Sequence, residues 1–359
     1  MSGPPALRAP LHAPLHAPLR VGLIGAGVMG RTHARAWAGL PGAPGAMYVP
    51  DDAARTLARQ YQLQECETLE ELFRLVDIVD LCTPTATHLP LTLAVASAGR
   101  HVLCEKPAAL TLDDAVSMRD ACDRAGVRLF VAHVLRFFPQ YRAARERVVS
   151  GEIGVPRVLR LSRVSTPPTQ GSWLLDESQS GGVPLDLMLH DLDYARWIAG
   201  EVERVYAVQS RQEGKIMVQA TLQHVGGAIS LIEAGWAAPT GVFRTSLDVA
   251  GTIGAIEWNS DLPAGLRRHG AARTEHAGEQ QGAALPPLDG DPYADELHHA
   301  YHALQHGLPF LVTPHDALAA VALGVAVQQS LDSGLAVTPP SLPESELTSP
   351  VQNGVRERA

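Results

Sequence analysis

Cysteine is scarce in this sequence, with four among 359 residues. Cys66, Cys82, Cys104 and Cys122 lie far apart and form neither a C-x-x-C pair nor a dense framework. This spacing is typical of reduced thiols in a cytosolic protein and argues against a disulfide scaffold or a cysteine-based zinc site. We therefore expect no disulfide and no metal centre.

Basic runs and long apolar segments are also missing. The formal net charge is −9 and the pI is about 5.9, whereas nucleic-acid binding relies on a basic face. No uninterrupted apolar run reaches the roughly 18 to 20 residues that a membrane helix requires. An APLH near-repeat in the first 20 residues interrupts any signal-peptide core with proline and histidine. The sequence thus predicts a soluble cytoplasmic protein with no nucleic-acid or membrane partner.

A G-x-G-x-x-G motif follows a short apolar strand, residues 20 to 26, and precedes residues of helical composition. In this context the motif is typical of a dinucleotide-binding turn, although a glycine-rich turn without a ligand is the alternative. The helix N-terminus that follows favours phosphates, because its N–H groups are free. The predicted cofactor contacts here are Gly25, Gly27, Val28, Met29 and Gly30.

Strand and helix patterns alternate through residues 53 to 132. Such alternation predicts a doubly wound parallel sheet, in which ligands bind at the carboxyl ends of the strands. Two strand ends fall on that side, and Lys106 is placed where its ammonium can reach a substrate oxygen. The predicted cofactor contacts from these ends are Thr83, Pro84, Thr85, His88, Glu105 and Lys106.

The acid that commonly holds the adenosine ribose of NAD has no clear match after the second strand. Asp51 or Asp52 can serve from a shifted position. Two carboxylates repel a 2′-phosphate, and no arginine lies closer than Arg55, so NAD is favoured over NADP, which remains possible.

In the second half, residues 205 to 258 alternate as strands around a Gly226-Gly227 hairpin signal. They predict an α+β domain with a large, mostly antiparallel sheet, one face of which packs on helices. A homodimer or homotetramer through the other face would cover it. The predicted division is a disordered extension at 1–19, a Rossmann domain at 20–137, a substrate-binding and oligomerisation domain at 138–338, and a disordered tail at 339–359.

Asp186, His190 and Asp193 lie on one face if their segment is a helix. A carboxylate one turn from an imidazole can orient it for acid–base chemistry, but a solvated polar face has the same pattern. A histidine group, His298, His299, His302 and His306, also has i, i+4 spacing, and a polar helix face is favoured there over a metal site.

Several motifs together resemble the Gfo/Idh/MocA oxidoreductases from about residue 20 to 338. They are G-x-G-x-x-G at Gly25, TPTATH at Thr83, AGRHVLCEKP at Ala98, HVLRFFPQY at His133, SGEIG at Ser150 and GGVPLDLMLHDLD at Gly181. The resemblance implies a nicotinamide-dependent oxidoreductase acting on a secondary alcohol of a sugar, inositol or related polyol. It also implies a cis peptide bond before Pro107.

The catalytic residues implied are Lys106, Asp186 and His190. For hydride transfer from an alcohol, His190 would accept the hydroxyl proton, Lys106 would stabilise the developing alkoxide and Asp186 would hold the imidazole tautomer. Arg136 and Trp173 either line the substrate pocket beside these three or are structural. The alternatives are an NAD-dependent glycosidase and a non-enzymatic sensor of dinucleotide and metabolite.

Overall fold

The computed structural model describes residues 18–40, 44–261, 267–270, 283–284 and 290–343. The predicted extension and tail lie mostly outside these residues, as does most of a glycine- and proline-rich stretch from 263 to 290. The few described residues of the extension and the tail have contacts with the two domains. Leu19 is 3% exposed and donates its N–H to the hydroxyl of Tyr301 at 2.9 Å, and the carbonyl of Pro343 accepts from Arg119.

The first sheet is parallel, as predicted, and has six strands. In chain order its elements are β1 Val21–Ile24, α1 Val28–Ala38, β2 Pro44–Tyr48, α2 Asp52–Gln60, β3 Gln64–Cys66, α3 Leu69–Leu75, β4 Ile78–Leu81, α4 His88–Ser97, β5 His101–Glu105, α5 Leu112–Ala125 and β6 Leu129–Ala132. The strand order β3-β2-β1-β4-β5-β6 reverses direction beside β1. That switch point is where such sheets bind dinucleotides.

Local sequence accounts for these elements. β1, β4 and β6 are buried at every position, so β1 and β6 appear as continuous apolar runs, and β4 is apolar except for Asp80. Thr111 caps α5 by accepting the N–H of Asp114, and Gly126 ends the helix in the left-handed conformation. Because all six strands are parallel and helices connect them, the loops that follow the strands all lie at the carboxyl edge of the sheet.

The second sheet is mixed and mostly antiparallel, as predicted. The elements that follow β6 are α6 Pro139–Val149, β7 Pro156–Ser165, α7 Glu177–Ser180, α8 Leu189–Ala199, β8 Val202–Gln212, β9 Lys215–His224, β10 Ile229–Trp236, β11 Phe243–Gly251, β12 Gly254–Asn259, β13 Arg267–Gly270, β14 Ala283–Ala284, α9 Pro292–His306 and α10 Pro314–Ser333. The strand order is β14-β13-β12-β11-β7-β10-β9-β8, and β7 and β10 are its one parallel pair among the described strands.

One face of the second sheet packs on α8 and α10 to form a core. Both last helices also return to the first sheet. Leu297 and Tyr301 of α9 pack with Val21 and Trp37, and Leu318 of α10 packs with Val131. A division after residue 137 therefore separates the two sheets but not their helices. Within the described residues, no helix combines the length and the apolar character needed to cross a bilayer.

Candidate active site

The glycine-rich loop between β1 and α1 leaves space for an anion. Gly25 has φ +111°, which side chains rarely adopt, while a Cβ at Gly27 would meet no atom within 4 Å. Val28 is 80% exposed at the first position of α1, whose first turn has no acidic residue, and Met29 packs below the loop. An open helix N-terminus with free N–H groups suits a pyrophosphate, so these residues fit the predicted dinucleotide.

The adenosine end of this groove follows β2. Asp51 is exposed, and its Oδ1 accepts the N–H of Ala54 at 2.8 Å, so the side chain caps α2 and keeps Oδ2 for a ligand. Arg55 contacts Glu65 and Glu67 at 2.6 and 3.0 Å. Its guanidinium is thereby engaged and does not offer a free charge to a 2′-phosphate.

The loop after β4 is fixed to the loop after β5 by a histidine. His88 is 1% exposed, and its ring nitrogens lie 2.9 Å from the carbonyl oxygens of Thr83 and Pro107. Thr85 is also buried, at 3% exposure, whereas Thr83 and Pro84 are partly exposed. The buried ring thus lies between the two loops, and contact of His88 with the cofactor stays a prediction.

Lys106 follows β5, and its peptide bond to Pro107 is cis, as expected. Its Nζ donates to the backbone oxygen of Asp186 at 2.6 Å and to Oδ1 of the same residue at 3.0 Å. The two side chains are 14% and 15% exposed. This contact joins the edge of the first sheet to the segment before α8, and it leaves the ammonium partly accessible.

The helix predicted through Asp186, His190 and Asp193 is interrupted. Residues Val183–Leu187 form a π-helical turn, closed by the N–H of Met188 donating to the carbonyl of Val183 at 2.8 Å, and α8 then begins at Leu189. A wider turn changes the rotation between consecutive side chains, and such turns are frequent at functional sites. In this turn, the backbone carbonyl oxygen and the carboxylate Oδ1 of Asp186 both face the ammonium of Lys106.

His190 lies beside this contact but not on Asp186. Its Nδ1 is buried and has no hydrogen-bond partner in the part of the chain that the structure describes. The expectation that Asp186 holds the imidazole tautomer is therefore not met. Burial, aided by the positive charges of Lys106 and Arg163, holds the pKa of His190 well below its usual value. The ring is neutral at pH 7 and can accept a proton.

Asp193 and Arg136 form a buried ion pair away from these groups. Arg136 Nη2 and Nε lie 2.6 and 2.9 Å from the carboxylate oxygens of Asp193, both residues are 1% exposed, and Nη1 lies 3.3 Å from Asp316. Asp193 is thus not on a solvated face with Asp186. Of the two roles considered for Arg136, the structural one agrees with this burial, because its guanidinium is fully engaged.

Trp173 is partly exposed in a 3₁₀ turn, Trp173–Leu175, that leads into α7. Helix α7 packs against the turn Thr85–Thr87 of the first domain. Trp173 is therefore on a segment that reaches across to the cofactor side, and its contact with substrate stays a prediction.

Three of the four histidines of α9 have contacts of a structural kind. His299 Nε2 accepts the N–H of Leu311 at 2.8 Å, and its ring packs on Phe137. The rings of His302 and His306 have centroids 4.3 Å apart.

Three residues near the site escaped the sequence analysis: His33, Asp80 and Tyr293. His33 and Asp80 form a buried ion-pair cluster behind Lys106 with Glu105, which was a predicted cofactor contact. Tyr293, at the start of α9, is partly buried, and burial followed by the charge of Glu105 raises its pKa. A single histidine or tyrosine in a helix has no periodic signal that would distinguish it from a packing residue.

Comparisons with known proteins agree with this geometry. Residues 19–133 match the family model described as "Oxidoreductase family, NAD-binding Rossmann fold", and residues 141–257 match the "GFO/IDH/MocA C-terminal domain". The chain belongs to the Gfo/Idh/MocA family. It is therefore an NAD-binding oxidoreductase with the two-part architecture of that family.

Two relatives cover most of the chain. Myo-inositol 2-dehydrogenase of Thermotoga maritima is 30% identical over 87% of this chain and 96% of its own length. The 1,5-anhydro-D-fructose reductase of Ensifer adhaerens is 32% identical over 73% of this chain and 79% of its own length. Among solved structures, a levoglucosan dehydrogenase in complex with NADH superposes with a TM-score of 0.83 at 23% identity, covering 91% of this chain and 100% of that one. At that identity the likeness establishes the shared fold.

Proposed function

We propose that this Gfo/Idh/MocA protein is an NAD-dependent dehydrogenase of a secondary alcohol on a sugar, an inositol or a related polyol. The observation that carries the proposal is the pairing of the Lys106 ammonium with Asp186 beside the neutral imidazole of His190. A cation and a proton acceptor at one place are what an alcohol needs in order to lose its hydroxyl proton while hydride leaves its carbon. The names of the two relatives support a polyol or sugar substrate.

The proposed steps use the chain's own residues as follows. The glycine-rich loop and the N-terminus of α1 would hold the pyrophosphate, and Asp51 would hold the adenosine ribose. NAD, when bound, supplies the hydride acceptor. His190 accepts the hydroxyl proton, and Lys106 stabilises the negative charge that develops on the oxygen. Asp186 holds the Lys106 ammonium in place through its two oxygens.

The cofactor preference provides the first test. Sugars and cyclitols are screened with NAD and with NADP in parallel, and the absorbance of the reduced cofactor is followed. We expect turnover of at least one polyol and tighter binding of NAD, because Asp51 is exposed and Arg55 is engaged by two glutamates. A preference for NADP of tenfold or more, about 1.4 kcal/mol, would contradict the proposed ribose pocket. Release of an aglycone without net NADH would favour a glycosidase instead.

The proposal includes a homodimer, or a homotetramer built from such dimers, through the second sheet. Val208 and Tyr206 of β8 and Ile229 of β10 are 45%, 44% and 43% exposed on the face opposite the helices. We expect Val208→Glu to dissociate the assembly, because it would place a charge in an apolar contact. Light scattering after gel filtration measures the mass, and a monomeric wild-type protein at micromolar concentration would refute the proposed interface.

An intracellular site of action is also part of the proposal, supported by four free, buried thiols.

A further inference from the structure

Behind Lys106 lies a buried cluster that connects the cofactor-binding helix to the catalytic loop. His33 of α1 is 0% exposed, Asp80 of β4 is 0% and Glu105 of β5 is 6%. His33 Nδ1 is 2.9 and 3.1 Å from the two carboxylate oxygens of Asp80, and His33 Nε2 is 3.0 Å from Oε1 of Glu105. One imidazole therefore lies between two carboxylates that come from neighbouring strand ends.

Each carboxylate also accepts a hydrogen bond from a group other than His33. Asp80 Oδ2 accepts the indole N–H of Trp37 at 2.7 Å. Glu105 Oε2 accepts the backbone N–H of Lys106 at 3.0 Å. The chain of contacts thus runs from α1 through His33 and Glu105 to the backbone of the residue that holds the reactive ammonium.

The positions of the two carboxylates define the charge of the imidazole. A neutral imidazole has one N–H, so it can satisfy only one of two carboxylates, whereas an imidazolium donates to both. Burial by itself lowers the pKa of His33, but the charge and hydrogen bond of Asp80, together with the contribution of Cys82, raise the pKa well above the usual value. Two carboxylates with one imidazolium leave one net negative charge, beside the positive Lys106.

We propose that His33 is a positioning residue that, as an imidazolium held between Asp80 and Glu105, fixes the backbone of Lys106 relative to the cofactor-binding helix. This inference rests on the proposed role of Lys106. Its physical basis is that a displacement of about 1 Å in a catalytic group can lower a rate by about 10²-fold. Because α1 begins at the glycine-rich loop, one buried contact sets the distance between the cofactor site and the ammonium.

The other groups that face His33 do not replace this arrangement. Cys82 Sγ lies 3.2 Å from His33 Nδ1, and burial raises the pKa of that thiol, so it stays neutral. Burial, followed by the charge of Glu105, raises the pKa of Glu296 well above its usual value, which favours its uncharged form. His33, Asp80 and Cys82 have potential metal-ligand atoms within 4.8 Å of one another. A metal there would have to displace the hydrogen bonds of Asp80 to His33.

The protonation of His33 is tested directly on the wild-type enzyme with NAD bound. Nitrogen-15 NMR of histidine-labelled protein, with His33→Gln used to assign the signal, distinguishes an imidazolium from either neutral tautomer. We expect an imidazolium at pH 7 and at pH 8, above the usual pKa of histidine. A neutral ring at pH 7 would overturn the proposal, and so would one equivalent of tightly bound metal in the purified protein.

Two substitutions separate the two contacts. In His33→Asn the amide lies near the position of Nδ1 and can still donate to Asp80, whereas in His33→Gln it lies near Nε2 and can still donate to Glu105. We expect the asparagine variant to lower kcat by about 10²-fold, with the Kd of NAD nearly unchanged. The glutamine variant should recover part of that loss. The assay uses NAD and the alcohol that is turned over fastest in the screen.

His224→Asn is the matched control, since His224 is also 0% exposed but bonds to Gly200 and Ser230 in the second domain. It should lower the melting temperature without the loss of kcat. Equal kcat values for the two His33 variants, or a loss confined to NAD binding, would overturn the positioning role. If Lys106→Ala retains full kcat while the NMR signal is that of an imidazolium, the proposed catalytic role of Lys106 is refuted, whereas the ion pair of protonated His33 is confirmed.

Discussion

Lys106→Ala is expected to lower kcat by about 10² to 10³-fold, with little change in the affinity for NAD. The reason is that, in the proposed function, Lys106 contributes its charge to the oxygen that loses the proton, while the phosphates would bind elsewhere, at the N-terminus of α1. Steady-state kinetics on the best alcohol and calorimetric titration with NAD measure the two quantities. Full kcat in this variant would end the assignment of Lys106.

His190→Ala should lower kcat by a comparable factor, and less so at high pH, where solvent can accept the proton. The two losses should not multiply, because both residues act on one oxygen. A double variant whose loss equals the product of the single losses would indicate independent roles.

The pH profile of Lys106→Ala carries a further consequence. In the wild type we expect activity to be lost at low pH as His190 is protonated, and its lowered pKa places this expected loss below the usual titration range of histidine. Removing a nearby positive charge stabilises the protonated imidazole and so raises its pKa. The acidic limb of kcat/KM should therefore move to higher pH in Lys106→Ala, and Lys106→Arg should largely prevent the shift.

Most of the first domain could be predicted because its signals are local. Fully buried strands with intervening helices define a parallel sheet, and the glycine motif places the cofactor loop. Strand β3 and helix α3 were not foreseen, since β3 has three residues, Gln64–Cys66, of which two are polar. The return of α9 and α10 to the first sheet depends on contacts between residues more than 150 positions apart, such as Leu297 with Val21, which a local pattern does not contain.

The site was predictable in its residue types more than in its contacts. Lys106, Asp186 and His190 do come close together. Asp186 lies in the π-helical turn, however, and its carboxylate contacts the Lys106 ammonium rather than the His190 imidazole that the sequence predicted as its partner. His88 and Arg136 belong to motifs that suggested a ligand, yet their side chains are buried against carbonyls and carboxylates. The direction of a side chain depends on the local turn of the backbone. The i, i+4 spacing rule assumes a regular α-helix, so it cannot predict side-chain directions where a π turn is inserted.

Gly27→Val is expected to abolish dinucleotide binding while leaving the fold intact. Gly27 has φ −70° and ψ −162°, an extended conformation open to any residue, and a Cβ there would meet no protein atom within 4 Å. The valine would instead fill the space in which the pyrophosphate approaches the backbone. Calorimetric titration with NAD measures the binding, and the melting temperature in the absence of cofactor measures the fold.

The matched control is Gly30→Val, three residues along the same motif. A Cβ at Gly30 would lie 2.1 Å from the carbonyl oxygen of Gly25, so any side chain there must displace the loop itself. We expect this variant to lose stability together with binding, whereas Gly27→Val loses binding alone. Unchanged affinity for NAD in Gly27→Val would show that the pyrophosphate does not approach this loop. A large fall in its melting temperature would mean that Gly27 serves the fold, since the open space around it would then not exist in solution.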